Sequence, residues 1–151
     1  MAIAASAYCL WPETIQLVVE NAAGENLYAK TVKPGDRFSI VFTHSYARSR
    51  VEEVFEVTGS GEFTLRETVY ADFGAGLPHE ETAGYTMSFS DGKIRLQGYD
   101  TRFNELRLRV GHIADHRLEF PAAPPQRLAM LARPGAELRL AVTARPWGFG
   151  G

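Results

Sequence analysis

Cysteine is nearly absent from this chain: Cys9 is the single one in 151 residues. No disulfide can close within it, and no cysteine-based zinc site can be assembled. Neither sign of charge is in excess, with 16 Lys and Arg against 18 Asp and Glu and a formal net charge of −2. That balance argues against a nucleic-acid binder, which would normally show a basic face or stripe. No apolar run approaches the roughly 20 residues that a bilayer-spanning helix needs. There is no repeat at solenoid or propeller period and no Gly-x-Ser-x-Gly elbow to expose a nucleophilic serine.

What is present is enough apolar material for one core: 45% of residues are hydrophobic and 23% charged, which argues for a single globular domain. Residues 1–12 form a short uncharged stub lacking the basic start of an export signal. The expectation is that they end a longer anchor or export signal lying upstream, with Cys9 an inert thiol. Residues 13–145 read as a β domain and 146–151 as a flexible Gly-rich tail. The tail aromatics Trp147 and Phe149 are expected to pack loosely on the sheet.

The strand signal is alternation. Residues 14–20, 27–32, 37–42, 51–58, 63–71, 85–89, 94–96, 105–110, 116–120 and 136–144 each read as strands. Lys33-Pro34-Gly35-Asp36 and Asp91-Gly92 supply turn chemistry, and 126–132 reads as one or two helical turns. About eight to ten strands at this spacing predict an all-β, single-domain antiparallel β-sandwich or barrel. In the segment 51–58, Val51, Glu53, Phe55 and Val57 share a face. An acid therefore stands among apolar neighbours.

Two stretches depart from plain scaffold. One is the interval from His44 to Glu53, which holds Ser45, Arg48 and Arg50; the other is Phe73-Gly74-Ala75-Gly76-Leu77-Pro78. A His-Ser pair with a Glu eight residues after the Ser, followed by aromatic-Gly-Ala-Gly-Leu-Pro, resembles a bacterial family known as domain of unknown function 1850. The Pro34-Gly35-Asp36 turn and the strand from Leu106 to Val110 fit the same pattern. The likeness spans roughly residues 14–144, with Tyr46 in place of the usual Val and Arg50 in place of a common Pro. The resemblance implies a place beside the membrane permease of a tripartite periplasmic (TRAP/TAXI-type) transporter.

The reading that follows is a non-catalytic, periplasmic or otherwise extracytoplasmic accessory or binding module. Its expected partners are the transporter's membrane subunit or its solute-binding protein. A small-anion or carboxylate-binding domain acting alone is the alternative, with backbone N–H groups at Gly74–Gly76 and Arg48 or Arg50 receiving the anion. A hydrolase using His44, Ser45 and Glu53 is the second alternative. The preferred local arrangement is a brace in which His44 or an arginine of the 48–50 interval pairs with Glu53. The binding residues expected are His44, Ser45, Arg48, Arg50, Glu53 and Phe73 to Pro78. No cofactor and no metal are expected: His44, Glu53, Asp72, His79, Glu80 and Glu81 lack the spacing of a metal motif, and His112 and His116 read as surface or core-edge histidines.

Overall fold

The computed structural model describes residues 14–59, 61–71 and 85–145. The stub, the tail and the stretch from Phe73 to Pro78 lie outside them, as do Asp72, His79, Glu80 and Glu81. The described residues form eleven strands: β1 (Thr14–Asn21), β2 (Asn26–Thr31), β3 (Arg37–Thr43), β4 (Arg50–Gly59), β5 (Glu62–Tyr70), β6 (Thr86–Ser90), β7 (Lys93–Phe103), β8 (Glu105–Arg109), β9 (Arg117–Glu119), β10 (Gln126–Arg127) and β11 (Glu137–Arg145). They make two antiparallel sheets that sandwich the core, a four-stranded one ordered β2-β1-β11-β8 and a seven-stranded one ordered β10-β9-β3-β4-β5-β7-β6.

Three local differences from the sequence reading have physical causes. The helical turns expected over 126–132 are the short strand β10 and a single 3-10 turn, Leu128–Met130. The Pro-Pro pair just before Gln126 favours extended backbone, and β10 pairs with β9 through Gln126 opposite Leu118. This pairing also takes the count past ten. The strand expected at 94–96 runs on to Phe103, because Gly98 at φ 92° allows a bulge that breaks the alternation without ending the strand.

Turn chemistry pins the β2–β3 connection. The Asp36 carboxylate accepts the Lys33 N–H at 3.0 Å, and Gly35, at φ 91°, donates its N–H to Val57 O at 2.8 Å. The turn is thereby fixed onto β4, and β3 enters in register with it.

That register sets Phe38 opposite Phe55, Ile40 opposite Glu53 and Phe42 opposite Val51. The Phe38 and Phe55 rings stack at 5.2 Å, and Phe63 meets both edge-on at 5.4 and 5.6 Å. Leu17, Val19, Leu138 and Leu140 of the smaller sheet close over them, all inaccessible to solvent. A second, smaller cluster lies under the far strands of the wide sheet, where Ile94 and Leu96 are packed by Tyr70, Tyr85, Met87 and Tyr99.

The outer faces are held by ion pairs. Arg139 bridges Glu20, at 2.6 Å, and Glu105; Arg107 joins Glu105 to Glu137 at 2.7 and 3.0 Å. At the other edge Asp115 receives both Arg117 and Arg127 at 2.8 Å, which ties β9 to β10. The flanking arginines hold the Asp115 carboxyl below its ordinary range through their hydrogen bonds.

The aromatic stack is the part of this fold most sensitive to deletion. Phe55→Ala is expected to cost about 3–5 kcal/mol, from lost transfer energy and the cavity left behind. Urea unfolding of the two proteins measures it. A loss below about 1 kcal/mol would mean that the stack is not central.

Candidate functional site

Strand parity puts Glu53 inside. Residues facing one another across an antiparallel pair share a side of the sheet, so Glu53 points the same way as its partners Ile40 on β3 and Thr68 on β5. It borders a cavity of about 210 Å³ with Ile40, Phe42, Leu106, Leu108, Arg107 and His116. Leu106 and Leu108 come from the opposite sheet, since in β8 the arginines turn outward and the leucines inward.

Glu53 has no hydrogen bond or ion pair among the described residues. Burial in these surroundings pushes its carboxyl above the ordinary value of 4.5, because a charged carboxylate is poorly solvated there. Tyr70 and Tyr99 lie close enough for its charge to act on both phenols. Burial, the first cause, and then nearby charged or titrating groups including Glu53 raise them; at Tyr99 the Thr68 hydroxyl pulls the other way. Tyr99 reaches this face through the Gly98 bulge, and its ring lies 5.6 Å from that of Tyr85.

His116 faces the same cavity from just before β9. Its ring lies 5.4 Å from Phe42, and its Nδ1 is buried with no hydrogen-bond partner among the described residues. Burial lowers its affinity for a proton, and the neighbouring Asp115 offsets this in part. The sequence carried a signal for this position: His116, Leu118 and Phe120 alternate, so the two buried apolar residues mark the face His116 shares. Reading it with His112 as a core-edge residue gives it no role at the cavity, although it is one of the cavity's two ionisable inward groups.

The brace expected for Glu53 does not form. His44 lies four residues beyond Ile40, about 13 Å along the strand from the position opposite Glu53. It is occupied with its own turn: His44 N–H donates to Ser49 O at 2.9 Å, and His44 O accepts from Arg48 N–H at 2.8 Å. Arg50 and Glu52 share the outer face, where Arg50 pairs with Glu52 at 3.5 Å and Glu119 at 3.7 Å. Arg48 is exposed at φ 49°. Of the expected binding residues described, Glu53 alone borders the cavity; His44, Ser45 and Arg48 form the exposed β3–β4 turn.

That turn also lacks the geometry of a nucleophile relay. Ala47 N–H donates to His44 Nδ1 at 3.3 Å, leaving the neutral ring's proton on Nε2. A serine relay needs the reverse, with Nδ1–H held by a carboxylate and Nε2 free to take the serine proton. Among the described residues no group of three or more His, Cys, Asp or Glu side chains is placed to hold a metal ion.

The Glu53 carboxyl makes stability depend on pH in a defined direction. Its folded pKa is raised, so the native state holds the proton more tightly than the unfolded chain. The resulting stabilisation is present below 4.5 and is lost as pH rises from 4.5 through the folded value. Glu53→Gln removes this dependence. Its stability relative to the parent is therefore expected to improve as pH rises across that window, and urea midpoints at pH 4 and pH 7 measure the difference. An unchanged difference between the two would place Glu53 in water.

No curated protein and no solved structure matches the chain. A family model does match, over residues 38–123. That span runs from the start of β3 past β9 and includes Glu53, His116 and the two cavity leucines. It is narrower than the likeness read from motifs, leaving out β1, β2, β10 and β11, but it covers more than half of the sequence. The chain belongs to the family described as a domain of unknown function, DUF1850.

Proposed function

We propose that the chain is a non-catalytic binding module whose ligand enters the cavity bordered by Glu53 and His116. The observation that carries this reading is Glu53 itself: an inward acid, more than half buried, without a partner among the described residues. Leaving a buried ionisable group unsatisfied costs stability, and a ligand that completes its interactions would offset that cost. A cavity of about 210 Å³ is smaller than a typical drug-sized pocket, so the ligand is small. Apolar walls with one or two polar groups suit binding and orientation. The argument against a serine hydrolase is the His44 tautomer, together with the separation of His44 from Glu53.

We further propose that the module works outside the cytoplasmic membrane as an accessory of a tripartite solute transporter, in contact with the membrane subunit or the solute-binding protein. The support is the motif pattern His44-Ser45, Glu53 and Phe73 to Pro78, read with the family membership. No helix among the described residues is long and apolar enough to cross a membrane.

A thermal-shift screen with amines, amino acids, carboxylates and divalent cations tests the binding reading. A ligand at 100 times its Kd is expected to stabilise the native state by about 2.7 kcal/mol, and Glu53→Leu is expected to abolish the shift. A ligand that shifts both proteins equally would move the site elsewhere. Ser45→Ala is expected to bind as the parent does, and labelling of Ser45 by a fluorophosphonate would revive the hydrolase.

A further inference from the structure

From the groups around Glu53 we infer the class of ligand: a small organic cation, a primary ammonium carrying a short apolar chain. This rests on the binding reading of the same cavity. Glu53 supplies the cavity's negative charge, and no cation among the described residues answers it. Arg107 borders the cavity, but its Nε and Nη1 are spent on Glu105 and Glu137 at 2.7 and 3.0 Å. Arg50 is turned to the outer face with Glu52 and Glu119. A carboxylate ligand would meet Glu53 with like charge, while these arginines are already engaged by other carboxylates.

The remaining surroundings suit an alkylammonium. Ile40, Phe42, Leu106 and Leu108 give the chain an apolar bed. Phe42 at the wall adds an aromatic ring, a group whose face attracts a cation. His116 is kept neutral by its burial and adds no positive charge. A divalent metal finds too few donors, since Glu53 and His116 are the only described carboxylate and imidazole bordering the cavity.

Isotope-edited NMR titration of the chain with n-butylammonium, sodium butyrate, n-butanol and magnesium chloride, at constant ionic strength, tests this. Butylammonium is expected to move the amide signals of residues 40, 53, 106 and 116 saturably, and butyrate to leave them in place. Glu53→Gln, checked for folding by its spectrum, should weaken butylammonium by about tenfold or more, the loss of one charge-assisted contact. The parent protein gives a readout that needs no variant: affinity should rise with pH above the ordinary carboxyl value of 4.5, as Glu53 ionises. Glu53→Gln, which lacks the ionising carboxyl, should lose that rise. Tighter binding of butyrate or magnesium, or butylammonium binding unchanged by Glu53→Gln, would overturn the ligand class while leaving the cavity a binding site. If none of the four probes moves these signals, both the class and the binding reading fall.

Discussion

The register between β3 and β4 is the constraint on which the rest depends. It brings Phe38 and Phe55 face to face at 5.2 Å and lets Phe63 close the aromatic cluster. Because side chains alternate with period two, the same register carries Glu53 inward with Phe55, Val51 and Val57. Turning Glu53 to solvent by a one-residue slip would expose two buried valines and a phenylalanine. The cost of one poorly solvated carboxyl is small beside that loss, since each large apolar side chain contributes about 1.5–3 kcal/mol by its burial.

The unequal widths of the sheets decide where that acid ends up. The main core lies where the four-stranded sheet faces the middle of the seven-stranded one, and Ile94 and Leu96 form a separate cluster under the far strands. Glu53 stands between the two clusters. On one side it meets the leucines of β8, on the other the tyrosines gathered by the Gly98 bulge. A sandwich of two equal sheets would have buried this position completely or left it at an edge. Here it is partly desolvated and borders open space, which is a suitable state for a group that meets a ligand.

Charge elsewhere is arranged to be spent. Arg139, Arg107 and Arg50 each engage carboxylates on outer faces, and Asp115 holds two guanidinium groups at once. Exposed pairs of this kind contribute little stability singly, but they commit the cations nearest the cavity. The result, among the described residues, is an asymmetry: paired arginines on the outer faces and an unpaired Glu53 carboxyl within.

The sequence by itself determined the strands with clear alternation, the Pro-Gly-Asp and Asp-Gly turns, the all-β class and the inward direction of Glu53. All of these follow from period-two geometry and from the backbone preferences of proline and glycine, which act over a few residues. It also carried the family pattern. Only the tertiary structure decided what Glu53 meets. Leu106, Leu108 and His116 lie more than fifty positions away in sequence and reach it through sheet packing, which no local rule specifies. Arg50 and His44, near in sequence and natural partners by charge, are removed from it by strand parity and by the hydrogen bonds of their own turn. Tyr99 is placed by a bulge whose local signal, a glycine within a strand, marks the break but not the side on which the next residue emerges. Alternation is legible because each residue is compared with its neighbours. The partners across a sandwich are chosen by the fit of two whole faces, and that fit exists only once the chain has folded.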